Sequence, residues 1–157
     1  MRKTFEQQTN LFFLPINETY INPRSRDSAS KIAQCILSIF NNLEYRNEIL
    51  DILEKSIIKS KKKTGRTGMN LWQIFVLSVY RNGLNLDYDQ LMHMANEDRL
   101  VRSLMGVFRV LHPEKDEIQY PYQTIVDNVK LLNEQTVNKI NDVIIRFGHK
   151  EIFKKKR

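Results

Sequence analysis

The run Leu71-Trp72-Gln73-Ile74-Phe75-Val76-Leu77-Ser78-Val79-Tyr80 constrains the fold more than any other stretch. Leu71, Trp72, Phe75, Val76, Val79 and Tyr80 recur in pairs at every turn of a 3.6-residue period, a helical rather than a strand pattern. Asn70 stands where a cap belongs, because its side-chain oxygen can accept from an orphan backbone N–H. Gly83 stands where a left-handed residue would close the helix. The spacing therefore predicts a helix over roughly 70–82, apolar enough to sit at the centre of whatever packs around it.

Helical periodicity continues on both sides. Asp27 is placed to cap a helix with Ile32, Ala33, Ile36, Leu37 and Phe40 inward. After a turn at Asn41-Asn42, Ile49, Ile52, Leu53 and Ile57 form the stripe of a second helix over 45–59. Asp87 with Gln90 makes a near capping box, opening a helix with Tyr88, Leu91, Met92 and Ala95 inward. Asn96 or Asp98 opens the next, with Leu100, Val101, Leu104 and Met105, and Gly106 stops it. Pro121 suits the first turn of a helix whose core side is Ile125, Val126 and Val129. Asn133 caps the last helix, with Val137, Ile140, Ile144 and Phe147 inward and Gly148 closing it. Residues 107–120 read two ways: as a small β-hairpin pairing 107–111 with 117–120, or as an open loop.

The expected fold is thus all-α, with six or seven helices around the Trp72 helix and a helix-turn-helix-like rhythm after Asn85. Five Gly and four Pro in 157 residues agree, since average usage of the two together is roughly 12%. The expected organisation is an arm over 1–26 anchored by Leu11–Leu14, a helical domain over 27–150, and a basic tail over 151–157.

Net charge is +7, from 25 Lys and Arg against 18 Asp and Glu. Its location matters more than its size. Lys61, Lys62, Lys63 and Arg66 form one run, and Lys154, Lys155, Lys156 and Arg157 another. Without those eight, 17 basic residues stand against 18 acidic ones. A near-neutral body with two basic patches suits a polyanionic partner, although two merely solvated runs would look the same in sequence.

Other functional classes find little footing. The lone Cys35 excludes an internal disulfide framework and sits among core positions, a poor setting for a nucleophile. His93, His112 and His149 have no partner at metal-ligand spacing, so no metal site is expected. Asp87/Asp89 and Glu97/Asp98 lie at helix starts, where negative charge is favoured, and Asp116/Glu117 in a polar turn. Gly65 and Gly68 beside the lysines follow no apolar strand, so no phosphate loop is indicated. No catalytic residue and no cofactor is expected. No apolar run reaches the roughly 18 residues of a membrane span. Asn17 and Glu18 interrupt the apolar start, which makes a poor signal peptide, and a cytoplasmic protein is expected.

Nucleic-acid binding has the better support. The helix from Pro121 is expected to expose Tyr122, Gln123, Thr124, Asn128 and Lys130. Gln and Asn can read adenine edges, while Thr, Tyr and Lys reach phosphates. Lys61, Lys62, Lys63 and Arg66 would neutralise further phosphates. The competing expectation is a dimerisation module, with an apolar exposed face from Met92, Met94, Leu104 and Met105 and no DNA affinity.

The residues also carry a family resemblance. The segments Asn22-Pro23-Arg24-Ser25-Arg26-Asp27, Gly65-Arg66-Thr67-Gly68-Met69-Asn70-Leu71-Trp72-Gln73-Ile74 and Leu84-Asn85-Leu86-Asp87-Tyr88-Asp89-Gln90-Leu91 resemble bacterial insertion-sequence transposases of the ISNCY type. Ala95-Asn96, Asp98-Arg99, Gln123-Thr124-Ile125-Val126-Asp127-Asn128-Val129 and Gly148-His149-Lys150 continue the likeness, in order, over about 20–156. Thr67 departs from it, because the family usually has Pro there.

The resemblance implies a helical N-terminal region that binds double-stranded DNA at transposon ends and is able to form a homodimer. In the family an RNase H-like domain follows, with an Asp-Asp-Glu triad holding two metal ions for strand transfer. That domain starts just after the position of Lys154–Arg157, so no acidic residue of this chain matches a triad position. The implied role is DNA recognition without catalysis, in a chain that is a truncated remnant or a cut domain.

Overall fold

The computed structural model describes residues 12–57, 68–111 and 118–152. Among the described residues the fold is all-α. Seven α-helices follow in chain order: α1 (Ser28–Asn41), α2 (Leu43–Ile57), α3 (Leu71–Leu84), α4 (Tyr88–Glu97), α5 (Arg99–Met105), α6 (Tyr122–Val129) and α7 (Glu134–Phe147). A 3-10 turn over Ile16–Glu18 precedes them, and a π-helical turn over Gly148–Ile152 ends the described chain.

The helix starts follow from local chemistry. Asn70 Oδ1 accepts from Gln73 N at 2.9 Å while Asn70 N donates to Gln73 Oε1 at 3.2 Å, a full capping box. Asp87 and Gln90 repeat it at 2.8 and 3.0 Å. Asp98 caps α5 through Val101 N, and Asn133 caps α7 through Thr136 N. Such caps contribute about 1 kcal/mol each. They let α4 and α5 follow one another with Asp98 alone between them. Asp27 holds the N-cap position of α1, but its carboxylate makes no cap bond.

Two glycines behave differently from expectation. Gly83 does not end α3. The helix continues to Leu84, and Asn85 takes the left-handed conformation instead, at φ 52°. Asn tolerates that region because its short amide bonds locally. Gly83 serves packing: a Cβ there would stand 2.6 Å from Ile32 Cδ1 of α1. Gly148 does follow α7 as its C-cap, but it stays right-handed and passes the chain into the π-helical turn. Gly106 does terminate α5, at φ 77°.

Helix α3 is the core. Leu71, Trp72, Ile74, Phe75, Val76, Leu77 and Tyr80 are buried, and α1, α2, α4, α5 and α6 all pack against it. A helix apolar nearly all round is stable only when so enclosed. Trp72 Nε1 donates to the Leu104 carbonyl at 2.9 Å, and its ring meets Phe40 edge-on at 5.1 Å. Cys35 is half-buried on α1, and burial pushes its thiol pKa up.

Among the described residues, 107–111 are bonded to the N-terminal arm. Leu14 N donates to Phe108 O at 2.9 Å and Val110 N to Phe12 O at 2.8 Å, so the N-terminal arm supplies the partner. Tyr120 is engaged elsewhere: its N–H donates to Asn96 Oδ1 at 2.7 Å, and its carbonyl accepts from Asn96 Nδ2 at 2.9 Å. Residues 118–120 form no strand, and the backbone groups of Tyr120 are taken by Asn96. The arm docks further through buried Ile16 and a Thr19–Ser103 hydroxyl contact of 2.7 Å.

Helices α2 and α7 form an antiparallel pair. Ser56 meets Thr136 at one end (2.6 Å), and the rings of Tyr45 and Phe147 meet edge-on at the other (5.1 Å). Between them, Arg146 is ion-paired to Glu48. At roughly 1.5 Å per residue, Tyr45 and Ser56 stand about 16 Å apart along α2.

Candidate nucleic-acid interface

Lys61, Lys62, Lys63, Arg66 and the tail Lys154–Arg157 lie outside the described residues. The residues expected on the helix from Pro121 can be placed. Pro121 is the N-cap of α6, and Ile125, Val126 and Val129 are buried as the periodicity requires. On the opposite side, positions 123, 127 and 130 share one face, being four and three residues apart. All three are exposed.

That face has a defined internal bond. Gln123 Nε2 donates to Asp127 Oδ1 at 2.7 Å. The amide is thereby oriented, and Oε1 and the second N–H remain for an outside partner. Thr124 is half-buried at the flank. Asn128 is a correction: it is buried (6% exposed), and its Nδ2 donates to the Thr124 carbonyl at 2.7 Å. It therefore offers no amide to a groove. The i, i−4 bond back to the backbone draws the side chain along its own helix.

Lys130 is exposed at the C-terminal end of α6, where a cation is favoured by the helix dipole. Its Nζ lies 5.8 Å from the centre of the Tyr88 ring. The same ring carries a second cation, the Arg81 guanidinium, at 4.4 Å. Three helices thus meet here: the last turn of α3, the first residue of α4 and the end of α6. Among the described residues neither cation has a carboxylate within ion-pair distance. Linear reasoning overlooked Arg81; it assigned Tyr88 to the core side, and Tyr88 does pack there, half-buried. The available signal was the placing of Arg81 and Tyr88 on either side of the short turn at Asn85. Nothing in the linear pattern brings Lys130 to the same ring.

Elsewhere the acidic pairs take structural roles: Asp87 and Asp98 are caps, while Asp89 and Glu97 are solvated. Among the described residues no group of three or more His, Cys, Asp or Glu is arranged to hold a metal ion. No described helix is long and apolar enough to cross a membrane. Of the four residues expected on an exposed apolar face for dimerisation, none is fully exposed. Leu104 and Met105 are buried, and Met92 and Met94 pack partly buried against the core.

Two tyrosines report the dryness of the interior. Burial pushes the Tyr120 hydroxyl up to about 12, against a smaller downward pull from Arg102. Burial, with Asp98 and Asp27 adding to it, raises Tyr80 as well. No protein-family model, curated protein or solved structure matches this chain.

Proposed function

We propose that this chain recognises double-stranded DNA at transposon ends, as the N-terminal part of an insertion-sequence transposase of the ISNCY type. In this reading it acts in the cytoplasm, carries no catalytic triad of its own, and uses α4 to α6 as a helix-turn-helix-like reader. The exposed face of α6 approaches a groove with Gln123 and Lys130. Gln reads adenine, and Asp127 beside it can accept from the cytosine amino group. Thr124 lies at the flank of that face.

The observation that carries the reading is the division of charge. Eight cations lie in two short runs, and the remaining body is balanced at 17 against 18. A solubility role needs no such clustering, whereas a phosphate backbone rewards it through released counterions.

The test is a titration of the full chain with a duplex bearing the element's terminal repeat, at several salt concentrations. Replacing Lys61, Lys62, Lys63 and Arg66 by Gln is expected to lower the log–log salt slope by about 3–4. Absence of measurable DNA binding at low salt overturns the proposal.

A further inference from the structure

We propose that Arg81 and Lys130, gathered on the ring of Tyr88, form a phosphate-binding point that fixes α6 in register on the DNA backbone. The inference rests on the DNA-binding reading above and assigns a contact which that reading does not contain.

The arrangement is built, not incidental. Tyr88 is the first residue of α4, and the Asp87–Gln90 capping box pins it there. The left-handed Asn85 and the bond from Leu86 N to the Arg81 carbonyl (3.0 Å) turn the chain so that Arg81 lies over Tyr88. Lys130 arrives from α6, which packs on both α3 and α4. Two like charges from separate helices are thus held within 4.4 and 5.8 Å of one ring centre.

Neither cation is ion-paired among the described residues. Arg81 Nε is buried without a hydrogen-bond partner. Two described cations elsewhere have defined internal partners. Arg146 meets Glu48, and buried Arg102 donates to the Ala95 and Val107 carbonyls at 2.9 and 3.4 Å.

An aromatic face holds a cation without cancelling its charge. Arg, Lys and a tyrosine hydroxyl are the groups that contact phosphate oxygens in duplex DNA, and such contacts set register and carry no sequence information. Lys130 shares the exposed face of α6 with Gln123, so a phosphate held at Tyr88 fixes where that amide meets the bases.

The experiment compares the full chain with Arg81→Gln, Lys130→Gln, the double variant and Tyr88→Phe. Two duplexes are used, one bearing the terminal repeat and one of scrambled sequence, with affinity measured across salt. Each single charge loss is expected to lower the log–log slope by about 1 and the double by about 2, equally on both duplexes. Tyr88→Phe keeps the ring and is expected to keep most of the slope. If the parent chain binds and the double variant keeps its full slope, this inference fails and the DNA-binding reading stands. A loss confined to the terminal repeat also overturns it, because that signals base reading. If the parent chain binds neither duplex, both proposals fall together. Lys130 is exposed, so Lys130→Gln alone decides the matter should Arg81→Gln disturb folding.

Discussion

Tyr45 and Tyr88 each carry a lysine over the ring, Lys150 at 5.9 Å and Lys130 at 5.8 Å, yet their surroundings differ. Tyr45 is buried, meets Phe147 edge-on, and sits on a helix pair tied by Glu48 and Arg146. Tyr88 is half-buried and gathers a second cation rather than an acid. The comparison teaches that a cation over an aromatic ring does not by itself mark a binding surface. What distinguishes the Tyr88 corner is that two cations from separate helices share one ring.

The comparison breaks most visibly at Phe147. Phe147→Ala is expected to cost about 3–5 kcal/mol in urea denaturation, because it opens a cavity against Tyr45. In conditions where the variant stays folded, its DNA salt slope should match the parent's. A changed slope would mean that the α2/α7 end also touches DNA.

The α4/α6 side is best probed by alkali. Tyr120, locked to Asn96, keeps its proton up to about 12 in the folded protein, whereas an unfolded tyrosine loses it near 10. The folded pKa is the higher one, so this stability is fully present below pH 10 and is lost as pH rises toward 12. On the order of 2–3 kcal/mol is involved. Tyr120→Phe should flatten the fall in denaturation free energy across that window. The upward shift at Tyr80 acts in the same direction and leaves a residual slope.

The smallest effect is expected from Glu48→Gln. The ion pair is exposed, so the unfolding midpoint should barely move. The change does free Arg146, turning the closed corner into one with uncompensated charge. The DNA salt slope is expected to stay that of the parent, and one steeper by up to about 0.9 would bring the α2/α7 surface to the backbone.

Much of the helical framework was legible in the linear chain, because its signals are local. Asn70, Asp87, Asp98 and Asn133 cap helices through bonds to N–H groups three residues on, and such spacing is visible without a fold. Gly83 was misread because its role is contact with Ile32 across a helix interface, while Asn85 makes the turn. The bonding of 107–111 to the N-terminal arm was not legible for the same reason, since the two segments are far apart in the chain. At the candidate site, Gln123 and Lys130 were placed on the outer face correctly. Asn128 was not, because a bond to the Thr124 carbonyl holds it down.

By itself, then, the sequence determined the helices, their starts, the central place of the Trp72 helix and the clustering of charge. All of these depend on neighbours within a turn or two, or on composition. Only the tertiary structure decided which cations are answered by acids, which apolar residues are left exposed, and that three distant segments meet at Tyr88. Those outcomes depend on contacts between helices far apart in the chain, for which periodicity carries no information.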